Sequence, residues 1–214
     1  MKSKNINKIL IVDFGSQVTQ LIARQVRELG VYCELINFKK FNKFKTFDKN
    51  IKGIILSGGP KSTLSKSAPN IKWKLFLNKL PLLGICYGHQ LISNICGGKT
   101  KYSNKKEFGS AILIEKKKSK LTEGFFTNKK NTVWMSHSDS VMIKPKNFNV
   151  IASSKNSKFA ILENKRKKIF TTQFHPEVFH TNNGKKLFSN FLFKICKIKK
   201  NWTEKYKLQK LIKE

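Results

Sequence analysis

The run Pro81-Leu82-Leu83-Gly84-Ile85 passes without a break into Cys86-Tyr87-Gly88, and no other stretch restricts the fold as much. A short apolar run with no polar alternation reads as a strand buried on both faces, as in a parallel sheet. Gly84 and Gly88 stand two residues either side of Cys86. That spacing suits a turn too tight for larger neighbours, one that joins a buried strand to a helix and lifts its central residue above the C-terminal edge of the sheet. Residues 87–95 then read as the helix, with Gly97-Gly98 as its stop.

The rest of the first half repeats this rhythm. Residues 8–12 form a short apolar strand. A helix follows over about 17–29, with Ser16 as N-cap, Leu21, Ile22, Val26 and Leu29 at helical spacing, and Gly30 as the stop. Residues 31–36 read as a second strand. Residues 53–56 read as a buried strand that ends in Ser57-Gly58-Gly59-Pro60, and 70–78 as a helix. The alternation predicts an α/β fold of three layers, a mostly parallel central sheet with helices on both faces. Residues 109–173 read instead as short strands separated by Lys/Asn/Ser turns, several of them antiparallel. A helix near 184–196 returns to the sheet. Residues 1–202 make one domain, and the lysine-rich, weakly amphipathic segment 203–214 reads as a linker helix leading elsewhere.

Composition narrows the function classes. An apolar share of 39% can fill a core. No run approaches the roughly 18 apolar residues of a membrane span, and Ile9-Leu10-Ile11-Val12 is too short for a signal-peptide core. A cytoplasmic protein is expected. The four cysteines show no CxxC pair, so neither a metal site nor a disulfide framework is indicated. Cys33, Cys96 and Cys196 read as ordinary free thiols. The net charge of +32 comes almost wholly from lysine, since only Arg24, Arg27 and Arg166 are arginines. Lysine travels here with Asn, Ile and Phe, all drawn from A/T-rich codons. Base-reading sites favour arginine, so no specific nucleic-acid role is expected. With only twelve Asp and Glu in the chain, a carboxylate close to a histidine carries information.

Three motifs carry chemistry. Cys86 sits at the spacing of a nucleophile elbow, where the following helix directs N–H groups at the sulfur and favours the thiolate. In Phe174-His175-Pro176-Glu177, Pro176 discourages a helix, and residues i and i+2 of an extended segment point to one side. Glu177 can then orient the His175 ring. Gly58-Gly59 follows a strand, and its N–H groups can hold an oxyanion together with the N–H of Tyr87. Each motif also has a plainer reading: a buried cysteine, a surface turn, a glycine turn. Gly97-Gly98 is such a structural turn. By spacing alone His137 and Asp139 belong to a polar loop, and His89 and His180 have no independent case.

At these residues the chain resembles the class I, triad-type glutamine amidotransferases, and within them the amidotransferase domains of GMP synthetases. The resemblance spans residues 8 to about 204. It rests on Val12-Asp13-Phe14-Gly15-Ser16-Gln17, Thr19-Gln20-Leu21-Ile22-Ala23-Arg24, Val31-Tyr32-Cys33-Glu34-Leu35, the motif around Cys86, Trp134-Met135-Ser136-His137, and Gln173-Phe174-His175-Pro176-Glu177-Val178 with His180-Thr181. It implies a flavodoxin-like fold. It further implies Cys86 as nucleophile, His175 as base and acid, and Glu177 as its orienter. Gly59 and Tyr87 become the oxyanion donors; Gln90 and Ser136, His137, Ser138 and Asp139 hold L-glutamine. The partner implied is an ATP-pyrophosphatase (synthetase) module, in cis or in trans. That module would aminate XMP to GMP and would alone use ATP and Mg²⁺; this domain itself needs no cofactor. The chain departs from the pattern at Ser138, where glycine is expected, at His89 in place of methionine, and at Val18 in place of tyrosine. If position 138 needs positive φ, serine there is strained. An SGGxDS phosphate loop is absent from these 214 residues. The rival readings are an amidotransferase for another acceptor, a catalytically silent relative, and a basic nucleic-acid-binding module.

Overall fold

The computed structural model describes residues 6–203. Its elements run β1 (Lys8–Asp13), α1 (Thr19–Glu28), β2 (Cys33–Asn37), α2 (Phe38–Phe41), β3 (Ile51–Leu56), β4 (Leu82–Ile85), α3 (Tyr87–Ile95), β5 (Lys99–Glu115), β6 (Lys130–Ile143), β7 (Asn149–Ser153), β8 (Ile161–Asn164), β9 (Ile169–Thr172) and α4 (Gly184–Ser189). All nine strands join one sheet in the order β2-β1-β3-β4-β9-β8-β7-β5-β6. From β2 to β9 the neighbours are parallel, and from β9 onward they are antiparallel.

Alternation along the central strands divides the core in two. Ile9, Ile11, Ile55, Leu83 and Ile85 face one side, where Ile22 and Val26 of α1 and Leu187 and Phe188 of α4 cover them. Leu10, Val12, Ile54, Leu56 and Leu82 face the other, against Phe41 of α2 and Leu91 and Ile92 of α3. Two apolar layers around a parallel sheet explain why these strands read as unbroken apolar runs. The three-layer α/β expectation therefore holds.

Several local expectations fail for physical reasons. Residues 70–78 form no helix, only a single 3₁₀ turn at Trp73–Leu75, and Asn78 has φ 70. Ser16 does not cap α1: the N-cap is Val18, with no side-chain cap. The Ser16 hydroxyl accepts the Val18 N–H at 3.3 Å in the preceding turn, while the Asp13 carboxylate takes Gly15 N–H and the Thr19 hydroxyl, both at 2.8 Å. In the second half β7, β8 and β9 are short as expected, at 5, 4 and 4 residues, but β5 and β6 are not. β5 is 17 residues and β6 is 14, and β5 begins at Lys99. Their outer face is polar or exposed and β5 is bulged between Tyr102 and Glu107, so no clean apolar period marks them. The helix expected near 184–196 is α4 continued by a π-helical stretch, Asn190–Ile195. Ser138 lies within β6 and has no positive φ, so glycine is not required there.

Asn201 and Trp202 fold back on the body. The N–H groups of Asn201 and Trp202 both donate to Gly30 O, and the Trp202 ring stacks on Tyr32 at 5.2 Å. Residues 204–214, nearly all of the expected linker, lie outside the described residues.

Candidate active site

Strand β4 delivers Cys86 to the first position before α3, with φ 51 and ψ −100. A non-glycine residue held there is strained, and the surroundings hold it. Cys86 N–H donates to Thr172 O at 2.8 Å, and Gly88 N–H to Ser57 O at 3.1 Å. The flanking glycines are needed for space. A Cβ on Gly84 would stand 2.6 Å from Gly88 O, and one on Gly88 would stand 2.6 Å from Leu56 O.

His175 follows β9 and is fixed through its backbone. Its N–H donates to Trp134 O at 3.0 Å, and its carbonyl accepts the Thr181 hydroxyl at 2.6 Å. That places β6 directly behind it. The ring's Nδ1 donates to Glu177 Oε1 at 2.7 Å, so Nε2 is the nitrogen left for chemistry. Glu177 is 3% exposed, and its Oε2 has no hydrogen-bond partner among the described residues. Burial pushes the His175 pKa down, but the adjacent Glu177 carboxylate, hydrogen-bonded to the ring, and the Cys86 sulfur outweigh it and hold the value well above 6.5. Sulfur, ring and carboxylate thus meet across the sheet. Gly58 lies against both: a Cβ there would be 3.1 Å from His175 Cε1 and 3.7 Å from Cys86 Cβ.

The neighbouring glycine is equally confined. A Cβ on Gly59 would stand 3.1 Å from Phe14 Cβ and 3.4 Å from the Tyr87 ring. The N–H groups of Gly59 and Tyr87 have no acceptor among the described residues. Tyr87 is itself anchored, its hydroxyl donating to Pro69 O at 2.5 Å.

On the far side of the sulfur, Cys86 Sγ donates to Ser136 O at 3.6 Å. Gln90 donates from Nε2 to Asp139 O at 2.9 Å and to Gln173 Oε1 at 3.4 Å, and Gln173 Nε2 reaches Cys86 Sγ at 3.9 Å. Asp139 is 4% exposed, and its Oδ1 has no hydrogen-bond partner among the described residues. Ser136 is exposed and Ser138 half-buried. The His137 ring is committed elsewhere, with Nδ1 at 3.0 Å from Asp139 O and Nε2 at 3.1 Å from Glu107 Oε2. His137 therefore has only its backbone to offer a ligand. His89 is a core residue: Nδ1 lies 2.7 Å from Thr171 Oγ1, and burial pushes its pKa down to about 3.

Sequence reasoning missed two residues here. Gln173 stands at the head of the His175 motif and touches the sulfur. Glu107 is one of only twelve acids, and at 7% exposure it is buried, which scarcity alone hinted at. A surface cleft of about 530 Å³, lined in part by Lys118, Glu123, Glu163 and Lys165, holds none of these groups; the side-chain geometry, not cleft size, locates the site.

One central strand of the parallel part ends in a strained cysteine, and a histidine–carboxylate pair follows the adjoining strand. Comparison with known proteins supplies the family. Residues 10–195 match the family described as glutamine amidotransferase class-I, and the chain belongs to that family. It is 48% identical over 199 residues to the glutamine-hydrolysing GMP synthase of Brachyspira hyodysenteriae, a match covering 92% of this chain and 38% of that protein. The Agrobacterium fabrum GMP synthase matches with the same identity and coverage. The chain thus spans about 38% of the length of these curated relatives. Among solved structures, a Thermoplasma acidophilum protein provisionally described as one component of a GMP synthase superposes with a TM-score of 0.76 at 30% identity, covering 98% of each chain. A glutamine amidotransferase from Thermotoga maritima shares the fold with a TM-score of 0.68 at 20% identity, covering 80% of this chain and 76% of its own.

Proposed function

We propose that this domain hydrolyses L-glutamine and supplies the ammonia to a synthetase module that aminates XMP to GMP. The observation that carries the reading is the 2.7 Å contact between His175 Nδ1 and Glu177, with the other side of the ring against Cys86. In this mechanism the Cys86 thiolate attacks the side-chain amide carbon, and the oxyanion is held by the N–H groups of Gly59 and Tyr87. His175 protonates the departing nitrogen, which leaves as ammonia. The γ-glutamyl thioester is then attacked by water, whose proton His175 removes; glutamate leaves and the thiolate returns. The unpartnered carboxylate oxygen of Asp139 suits the substrate's ammonium group, with Gln90 and the Ser136–Ser138 backbone around it.

Ammonium has no lone pair, so the product must reach the second site unprotonated. That favours a docked synthetase module holding ATP and Mg²⁺, joined through residues 203–214 or supplied as a separate chain, in the cytoplasm. Residues 1–202 are then the amidotransferase domain. The test is ammonia release from glutamine by wild type and Cys86→Ala. Loss of release in the variant is expected, and wild-type rates in it overturn the assignment. Adding a GMP synthetase module and XMP should yield glutamine-dependent GMP; amination of another acceptor instead would move the domain to a different pathway.

A further inference from the structure

Strand β6 is held oddly where it passes the sulfur. Among the described residues it is the last strand of the sheet, with β5 as its neighbouring strand. Its register shifts between Glu107 opposite His137 and Tyr102 opposite Asp139. Ser138 therefore lies opposite a bulge in β5. Side chains also hold β6 there. Asp139 O accepts from both His137 Nδ1 and Gln90 Nε2, at 3.0 and 2.9 Å. The His137 ring is fixed in turn by Glu107 Oε2, and Glu107 Oε1 accepts the Ser154 hydroxyl at 2.8 Å.

We infer that Glu107 is a positioning residue for substrate binding, acting through His137 on the Ser136–Asp139 segment. The inference rests on the reading that this segment holds glutamine. Each ring nitrogen of His137 has an oxygen to hold it, Asp139 O at Nδ1 and Glu107 Oε2 at Nε2, with Ser140 Oγ a further 3.5 Å from Nδ1. The pair is buried, with side-chain exposures of 2% for His137 and 6% for Glu107. An amide in its place accepts the same hydrogen bond without the charge. A shift of the segment by a fraction of an ångström moves both Asp139 and the Ser136 carbonyl that faces the thiol, whereas Cys86 is anchored from β4 and His175 from the end of β9 and from Trp134, which lies before the segment.

The test compares Glu107→Ala and Glu107→Gln in the full chain. Steady-state kinetics are run with Cys86 intact, and glutamine Kd is measured by calorimetry in the Cys86→Ala background. Glu107→Ala should raise KM and Kd about ten- to a hundredfold, with kcat within about threefold, the pattern of lost binding rather than lost chemistry. Glu107→Gln, which keeps a hydrogen-bond acceptor without the charge, should fall between. Should Glu107→Ala fail to fold, Glu107→Gln, which keeps the shape, decides. An unchanged Kd, or a fall in kcat at constant KM, overturns the inference while leaving the proposed function standing. If Cys86→Ala with Glu107 intact binds no glutamine and the wild type releases no ammonia, the functional reading itself fails and takes this inference with it.

Discussion

Cys86 keeps a left-handed backbone although it is not glycine (φ 51), a conformation that costs of order 1–3 kcal/mol. The sheet absorbs that cost and holds the sulfur where the His175 ring can reach it. His175 is the titrating partner. Its folded-state pKa is raised above the unfolded value of about 6.5. The stabilisation from this pairing is thus fully present below pH 6.5 or so and is lost as pH rises through the elevated folded value. Glu177→Gln removes the nearest charge that raises it. Thermal unfolding measured from pH 6 upward should show wild type ahead of Glu177→Gln at the acid end, with the gap narrowing as pH rises. A gap that widens with pH contradicts the ion-pair account. Asp139 is the other informative residue: a buried carboxylate oxygen without a partner is costly, and a ligand ammonium would satisfy it.

The strand–turn–helix unit of β4, Cys86 and α3 works as one element because its two glycines permit backbone contact on both sides. Helix α3 packs so close to β3 that a methyl on Gly88 would overlap Leu56 O and Cβ, at 2.6 and 2.8 Å. Backbone cannot give way as a flexible side chain can. Gly88→Ala should therefore destabilise the chain by about 1–3 kcal/mol or more, measured by urea denaturation, and should lower ammonia release further than the stability loss explains, because α3 carries Tyr87 and Gln90. A variant of wild-type stability would mean the helix can slide. The β5–β6 ribbon behaves differently, since its site segment is held by side chains where β5 is bulged.

Across the whole molecule, the central strands bury one apolar layer on each face, while the antiparallel half extends the sheet to bring β6 behind His175. The charge of +32 belongs to the chain as a whole. It should bind heparin and duplex DNA without sequence preference, losing affinity by about 10³-fold or more between 50 and 200 mM salt if six or more phosphates are contacted. Fluorescence anisotropy across salt checks this, and a sequence preference that persists at physiological salt would favour the nucleic-acid reading. Among the described residues, no helix is long and apolar enough to cross a membrane.

Much of this was legible because it is local. The apolar runs of β1, β3 and β4 fill both sides of a sheet, so burial is written into adjacent residues. The glycines around Cys86 answer a clash between near neighbours, and the His175–Glu177 pairing needs only two extended residues. What was not legible depends on partners far along the chain. The segment 70–78 has helical composition but becomes a connector, with a single 3₁₀ turn. β5 hides its length because its polar residues find partners on β6 and β7. Glu107 and Gln173 join the site only when β5, β6 and the end of β9 converge on the sulfur. His137 and Glu107 stand 30 residues apart in sequence, and Gln173 and Cys86 stand 87 apart. No local pattern encodes such contacts; only the assembled sheet brings those groups within hydrogen-bond reach.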